Sequence, residues 1–192
     1  MGRREEEEVV RERLGAAAKV LAEGMSPDLL PSSGADMGYA LPGARSPGDV
    51  ATIPGGIVKG EAGVHLPGGV AFGAGEEVAR VVITAMRADP DIRSAAIIRF
   101  SPAILAALGD LLLETCGFDR SREPPGVSTM EWGVAFCCRD GVPDAVYDRG
   151  APGKEGLIRI LGEEPLHVAR TIVAVSSRLK GDQGRSNEAH SR

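Results

Sequence analysis

The sequence predicts an α/β domain built on a mixed, largely antiparallel sheet, and two patterns carry that expectation. Strand-length apolar runs interleave with longer amphipathic segments along the chain, as strands and helices do in layered α/β folds. The early apolar runs, however, follow one another through short glycine–proline turns. Turns that short join antiparallel neighbours, because a parallel pair needs a long crossover. Composition sets the core: hydrophobic residues make up 43% and aromatics only 4%. Ala, Val, Ile and Leu must therefore fill it, and 192 residues suit one domain with a substantial interior.

Arg3 to Glu23 reads as one helix, with Val10, Leu14, Ala17 and Leu21 on a single stripe and charges opposite. Glu5 to Glu8 stand at its N-terminal end, where the helix dipole favours acids. Residues 1–24 are thus expected to pack as an amphipathic helix on a single domain spanning 25–180. From Gly34 to Phe72, Val50–Ile53, Gly56–Lys59, Val64–Leu66 and Gly69–Phe72 read as short strands. Glu76 to Ala88 is a helix with Val78, Val82 and Ala85 inward, Ala95–Phe100 a buried strand, and Pro102 to Thr115 a second helix. Met130 to Cys138 fits helix or strand. Ala145–Asp148 and Gly156–Leu161 read as strands flanking a Gly/Lys/Glu loop, and Pro165 to Lys180 as the last helix. Residues 181–192 form a polar tail without periodicity, expected to be disordered.

Charge and cysteine usage exclude several classes. A net charge of −5 gives no electrostatic footprint for nucleic acid, and one N-terminal helix is too little for a helix-turn-helix reader. No run approaches a membrane span, and the charged N-terminus is not a signal peptide. Cys116, Cys137 and Cys138 suit a reduced, cytoplasmic protein; adjacent cysteines do not readily bridge each other. Zinc-ligand spacing is missing and His65, His167 and His190 are scattered, so no metal is expected.

Val70-Ala71-Phe72-Gly73-Ala74-Gly75-Glu76-Glu77 reads as strand, glycine turn and helix start. Such a turn aims backbone N–H groups and the positive end of the helix dipole at a bound anion. Yet Glu76 and Glu77 suit the helix's own dipole and would repel that anion. Gly73-x-Gly75-x-x-Val78 lacks the third glycine of a dinucleotide fingerprint. Gly153 and Lys154 sit in a turn that is either solvated or places a flexible ammonium on a phosphate. Ser128, Thr129 and Met130 open a helix as an N-cap, or offer hydroxyls to a ligand. Asp119 and Arg120, with Glu123, cluster in a loop where ion pairing is the default. Arg45 follows a Gly/Pro loop of the kind that carries ligand contacts. Trp132, the one tryptophan, reads as core.

From about Leu30 to Val175 the chain resembles the ThiN-type thiamine-phosphate synthase domain, often fused to a hydroxymethylpyrimidine phosphate kinase. Seven segments carry the likeness, in family order. They are Gly34–Arg45; Asp49–Gly55; Phe72-Gly73-Ala74 with Val78-Ala79-Arg80; Ala88-Asp89-Pro90 with Ile92-Arg93-Ser94; Phe118-Asp119-Arg120 with Glu123-Pro124; Ser128–Gly133; and Tyr147–Gly150 with Gly153-Lys154-Glu155. The resemblance implies an α/β/α three-layer fold akin to class II aldolases, without the histidine cluster by which those enzymes hold zinc. It also implies a helix at Met130–Cys138.

The departures are as informative. The resemblance implies an arginine at the place of Gly56 and a histidine at that of Glu77, both associated with activity. It also implies asparagine at Asp36 and Ile97, and commonly arginine at Glu76. Joining a pyrimidine pyrophosphate to a thiazole phosphate needs cations or a metal where charge builds on the leaving group, and losing one donor costs roughly 10²–10³ in rate. Arg45, Arg99, Arg120 and Lys154 are the available substitutes. The expectation is a domain that binds thiamine phosphate or its phosphorylated precursors, with synthase activity lost or much reduced. The ligand-binding residues would be Arg45, Gly73, Ala74, Gly75, Arg99, Asp119, Arg120, Ser128, Thr129, Met130, Gly153 and Lys154, with no cofactor. A working synthase, using magnesium, and a scaffold that kept only the fold are the alternatives. The expected partner is the small phosphorylated ligand, with a homodimer unsurprising and no nucleic acid or membrane.

Overall fold

In the computed structural model, residues 2–190 are described, their side chains as far as Gly181. The helices are α1 (Arg3–Gly24), α2 (Glu76–Ala88), α3 (Pro102–Asp110), α4 (Thr129–Cys137) and α5 (Pro165–His190). The strands are β1 (Asp36–Ala40), β2 (Val50–Thr52), β3 (Val58–Lys59), β4 (Val64–His65), β5 (Ala71–Phe72), β6 (Ser94–Arg99), β7 (Thr115–Gly117), β8 (Ala145–Tyr147) and β9 (Leu157–Gly162). Seven of them form one sheet in the order β5-β2-β1-β6-β9-β8-β7, and β3–β4 is a separate hairpin. Every pair in the large sheet is antiparallel except β7 with β8. This is the mixed, largely antiparallel sheet the sequence predicts.

The two faces of the sheet divide the core. Met37, Tyr39, Ala96, Ile98, Ile158 and Ile160 pack against the apolar stripes of α1, α3 and α5. Ala40, Val50, Ala95, Ile97, Val146 and Leu161 face α2 and α4. Strand side chains alternate between faces, so each strand feeds both layers. The result is three layers, α/β/α. Within α1 the predicted stripe of Val10, Leu14, Ala17 and Leu21 is the buried one. No helix among the described residues is long and apolar enough to cross a membrane.

Four local expectations are corrected. Asp36–Ala40, unassigned from sequence, is an interior strand paired on both edges. Its Gly38 has no side chain to signal a strand, and a Cβ there would stand 3.2 Å from Val50 and 3.4 Å from Val78. The second helix ends at Asp110 instead of Thr115. Leu112 breaks it with φ +59° and lies 91% exposed, which frees Thr115–Gly117 to become edge strand β7. The last helix runs to His190, ten residues past its expected end, with no proline in 181–190 to stop it. The tail expected from Gly181 is therefore helical to His190, and residues 191–192 lie outside the described part. Finally, Cys116 and Cys137 are joined as a disulfide, where reduced thiols were expected. It ties β7 to the end of α4, and Cys138 stays free and buried.

Candidate functional site

Strand β1 begins, and β6 ends, at one end of the sheet, and the N-termini of α2 and α4 open toward the same end. In register, Asp36 lies opposite Ile97, Ile97 opposite Arg159, and Arg159 opposite Val146. Paired residues share a face, so this row runs under the α2–α4 layer. Above it lies a cleft of about 410 Å³, walled by Ser32, Glu77, Arg120, Ser128, Met130 and Lys154. Ser33, Thr129, Glu155 and Leu157 complete the lining.

Under the cleft, Asp148 holds two guanidinium groups. Arg120 Nε donates to it at 2.6 Å and Arg159 Nη1 at 2.6 Å, and Gly150 N–H adds a third donor at 2.8 Å. Asp148 and Arg159 are fully buried and the Arg120 side chain is 12% exposed. Burial lowers the Arg159 pKa, with the Asp148 charge opposing that fall. The remaining Arg159 donors meet less: Nη2 contacts the Met130 sulfur at 3.5 Å, and buried Nε has no partner. Met130 thus separates a buried cation from the cleft. The sequence reading gives Gly156–Leu161 as a strand and assigns Arg159 no role; an arginine in the run Leu157-Ile158-Arg159-Ile160-Leu161 is the available signal for this cluster.

The two acids of α2 part company. Glu76 accepts from Arg80 Nη2 at 2.6 Å, and Arg80 also reaches Glu131 at 3.1 Å. Glu76 is thereby neutralised on the surface. Glu77, one residue on, faces the cleft and makes no ion pair among the described residues. Its charge acts on Asp36, whose carboxyl is pushed up to about 7 by burial first, with Glu77 adding and the Met37 N–H opposing. Asp36 Oδ1 accepts that N–H at 2.8 Å.

Gly75, the N-cap of α2, sits directly on this corner. A Cβ at Gly75 would stand 2.8 Å from Asp36 Oδ2 and 3.0 Å from Thr52 Oγ1, and that hydroxyl is buried without a partner. The glycine turn therefore seats the helix on polar side chains. Gly73, Ala74 and Gly75 lie outside the cleft lining, whereas Arg120, Ser128, Thr129, Met130 and Lys154 form it. Thr129 is already engaged, donating to Glu123 at 2.6 Å. Ser128, the N-cap of α4, makes no capping bond with its hydroxyl. Gly153 (φ +73°) shapes the turn that presents Lys154. Arg99 is exposed at the end of β6, opposite Leu157 of the lining. Asp119 caps a short turn through the Ser121 N–H at 2.8 Å and faces a neighbouring cavity. Arg45 is remote, in the loop leaving the other end of β1, where Asp49 holds its backbone.

The profile of thiamine-phosphate synthase ThiN matches residues 13–174. The chain belongs to the ThiN family. A bifunctional thiamine biosynthesis protein ThiDN of Methanocaldococcus jannaschii is 36% identical over 158 residues, 81% of this chain and 38% of that protein. Thiamine-phosphate synthase ThiN of Methanothermobacter thermautotrophicus is 32% identical over 171 residues, 80% of this chain and 90% of that protein. The chain therefore spans well under half of the bifunctional relative and most of the other. Among solved structures, the C-terminal domain of protein MJ0236 superposes with a TM-score of 0.84 at 34% identity, covering 91% of this chain and 97% of that one. An aldolase II superfamily protein from Pseudomonas syringae shares the fold alone, with a TM-score of 0.51 at 12% identity over 94% of this chain and 78% of that one.

In this ThiN-family chain the positions at which the resemblance implies other residues gather at one end of the sheet. Asp36 and Ile97 are register partners, and Glu77 stands over them. Gly56 lies in the turn whose next residue, Ile57, bridges to Ala35. Gly56 has φ +68°, and a Cβ there would stand 2.7 Å from the Ala35 carbonyl oxygen. An arginine at 56 requires that turn to move, since left-handed backbone disfavours side chains.

Proposed function

We propose that this ThiN-family domain binds thiamine phosphate, or a phosphorylated thiamine precursor, in the α2–α4 cleft, with synthase activity lost or much reduced. The observation that carries the reading is Glu77, an unpaired carboxylate facing the cleft where the reaction needs cations. Thiamine phosphate has a permanently cationic thiazolium ring, which a carboxylate attracts; the pyrophosphate substrate is a polyanion, which it repels. At the other wall, Lys154, the unengaged Ser128 hydroxyl and the first-turn N–H groups of α4 can take a phosphate. Arg120 adds positive potential, though its donors are directed to Asp148 and the Glu155 carbonyl. The domain would hold the finished product without supplying the cations that stabilise the departing pyrophosphate.

Calorimetric titration with thiamine phosphate and with the pyrimidine pyrophosphate tests this. Micromolar binding of thiamine phosphate, tighter than that of the pyrimidine pyrophosphate, supports the reading; equal or reversed affinities overturn it. A second reading, a working synthase, draws on Arg120 and Lys154 in the cleft wall. Thiamine phosphate formed from the two precursors would decide for it. No three His, Cys, Asp or Glu side chains among the described residues group as a metal site, and no step is assigned to a metal.

A further inference from the structure

We propose that the Cys116–Cys137 disulfide is a reducible clamp on one wall of the cleft: closed, it holds that wall for ligand, and a dithiol reductant releases it. The inference rests on the reading above for its ligand and adds a modification site to it.

The bond joins the middle of β7 to the last residue of α4, with Cα atoms 5.7 Å apart and a sequence separation of 21. The loop it closes carries Arg120, Ser128, Thr129 and Met130, all of which line the cleft. The two elements it ties are weak anchors by themselves. Strand β7 has three residues and pairs only with β8 among the described residues. Helix α4 has nine, too few to persist as an isolated helix. Between them, the only regular structure is a three-residue turn, Arg120–Arg122. Side-chain packing and pairing fix this segment at two places. Phe118 packs against Gly133 of α4, where the missing Cβ makes room for its ring, and meets Trp132 edge-on. Arg120 is held by Asp148. The third tie is covalent, and it alone responds to the redox state of the solution. Reduction leaves Phe118 and Arg120 in place and frees the end of α4 from β7, so the helix whose first turn lines the cleft is held less firmly.

Both bonded cysteines are half-buried, within reach of a small dithiol, and accessible disulfides are the reducible kind. Cys138 is different. It is buried in the layer of α2 and α4, and burial raises its thiol pKa, which keeps it from acting as a thiolate. It also cannot readily bridge its neighbour Cys137. The exchange therefore belongs to Cys116 and Cys137. A reductant thiolate attacks one sulfur and expels the other as a thiolate, which takes a proton; the second reductant thiol then displaces the mixed disulfide. The protein keeps two thiols, and the reductant leaves as its own disulfide.

The test titrates thiamine phosphate by calorimetry into oxidised protein and into protein reduced with dithiothreitol. The reduced protein should bind about tenfold more weakly, a usual size for coupling between two sites. By reciprocity, saturating thiamine phosphate should lower the reduction potential of the pair by about 30 mV, read by thiol alkylation and mass spectrometry in dithiothreitol redox buffers. Cys116→Ser should bind as reduced wild type does under both conditions, and Cys138→Ala should keep the response. Equal affinities of oxidised and reduced protein, or oxidised-type affinity in Cys116→Ser, overturn the clamp and leave the cleft reading intact. If neither form binds, the cleft reading fails and amide hydrogen exchange over residues 118–130 decides the clamp alone. Faster exchange on reduction upholds it; equal exchange overturns it.

Discussion

Two polar clusters lie under the same pair of helices and are built on opposite terms. In the Arg120–Asp148–Arg159 cluster one carboxylate meets two guanidinium groups and a backbone N–H, and every oxygen of Asp148 is used. In the corner of Asp36 and Thr52 beside Gly75, burial pushes the Asp36 carboxyl up to about 7 with the Glu77 charge adding, and the Thr52 hydroxyl is buried without a partner. A cluster whose carboxylate is fully matched holds the strands β8 and β9 to the loop of Arg120. A corner left unmatched stabilises nothing by itself.

Removing the anion from the matched cluster should have the largest effect. Asp148→Ala leaves Arg159 buried without a counter-charge, which typically costs about 3–5 kcal/mol. Urea unfolding should show this as a lower midpoint at unchanged slope. A loss under about 1 kcal/mol would mean the cluster does not stabilise the fold.

The unmatched corner should reveal itself through pH. Asp36 has its folded pKa raised from 3.8 to about 7. The folded state therefore holds a proton that the unfolded chain releases between those values, and the fold loses stability as pH climbs through that window. Asp36→Asn removes this contribution and should be more stable than wild type at pH 8, by up to about 4 kcal/mol. Its advantage should vanish near pH 4. A wild type and variant with parallel stability curves from pH 4 to 8 would place Asp36 in ordinary solvent contact.

Smaller effects should separate the neighbouring acids. Glu77→Gln should reduce the preference for thiamine phosphate over the pyrimidine pyrophosphate about threefold, the worth of one partly screened charge. Glu76→Gln loses only an exposed pair with Arg80 and should leave stability nearly unchanged, with both affinities unchanged. If Glu76→Gln moves binding as much as Glu77→Gln, the structural division between the two acids is wrong.

Much of the architecture was legible in the chain. The spacing of Val10, Leu14, Ala17 and Leu21 identified the buried stripe of α1, and α2 runs from Glu76 to Ala88 as its periodicity predicts. Periodicity reports local geometry, because a helix or strand imposes its repeat on whichever residues it buries. It was silent where partners lie far away in sequence. Strand β1 is interior because β2 and β6 pair with it, although Asp36-Met37-Gly38-Tyr39-Ala40 has no β-branched residue. Strand β7 exists because Leu112 turns the chain out of α3, which an unbroken run of leucines conceals.

The candidate site divides in the same way. The likeness to ThiN domains was carried by short motifs read in order, and it pointed to Arg120, Ser128, Thr129, Met130, Lys154 and Glu77, which the fold gathers around one cleft. It also pointed to Arg45, which the fold carries to the far end of β1. Nothing local told Glu76 from Glu77, or marked Arg159 as the buried partner of Asp148. Those distinctions depend on which side chains meet across strands, from Asp148 and Arg159, 11 residues apart, to Ile97 and Arg159, 62 apart. Charge itself is written in the sequence; whether a charge is matched, buried or left facing a cleft is decided only when the layers close around it.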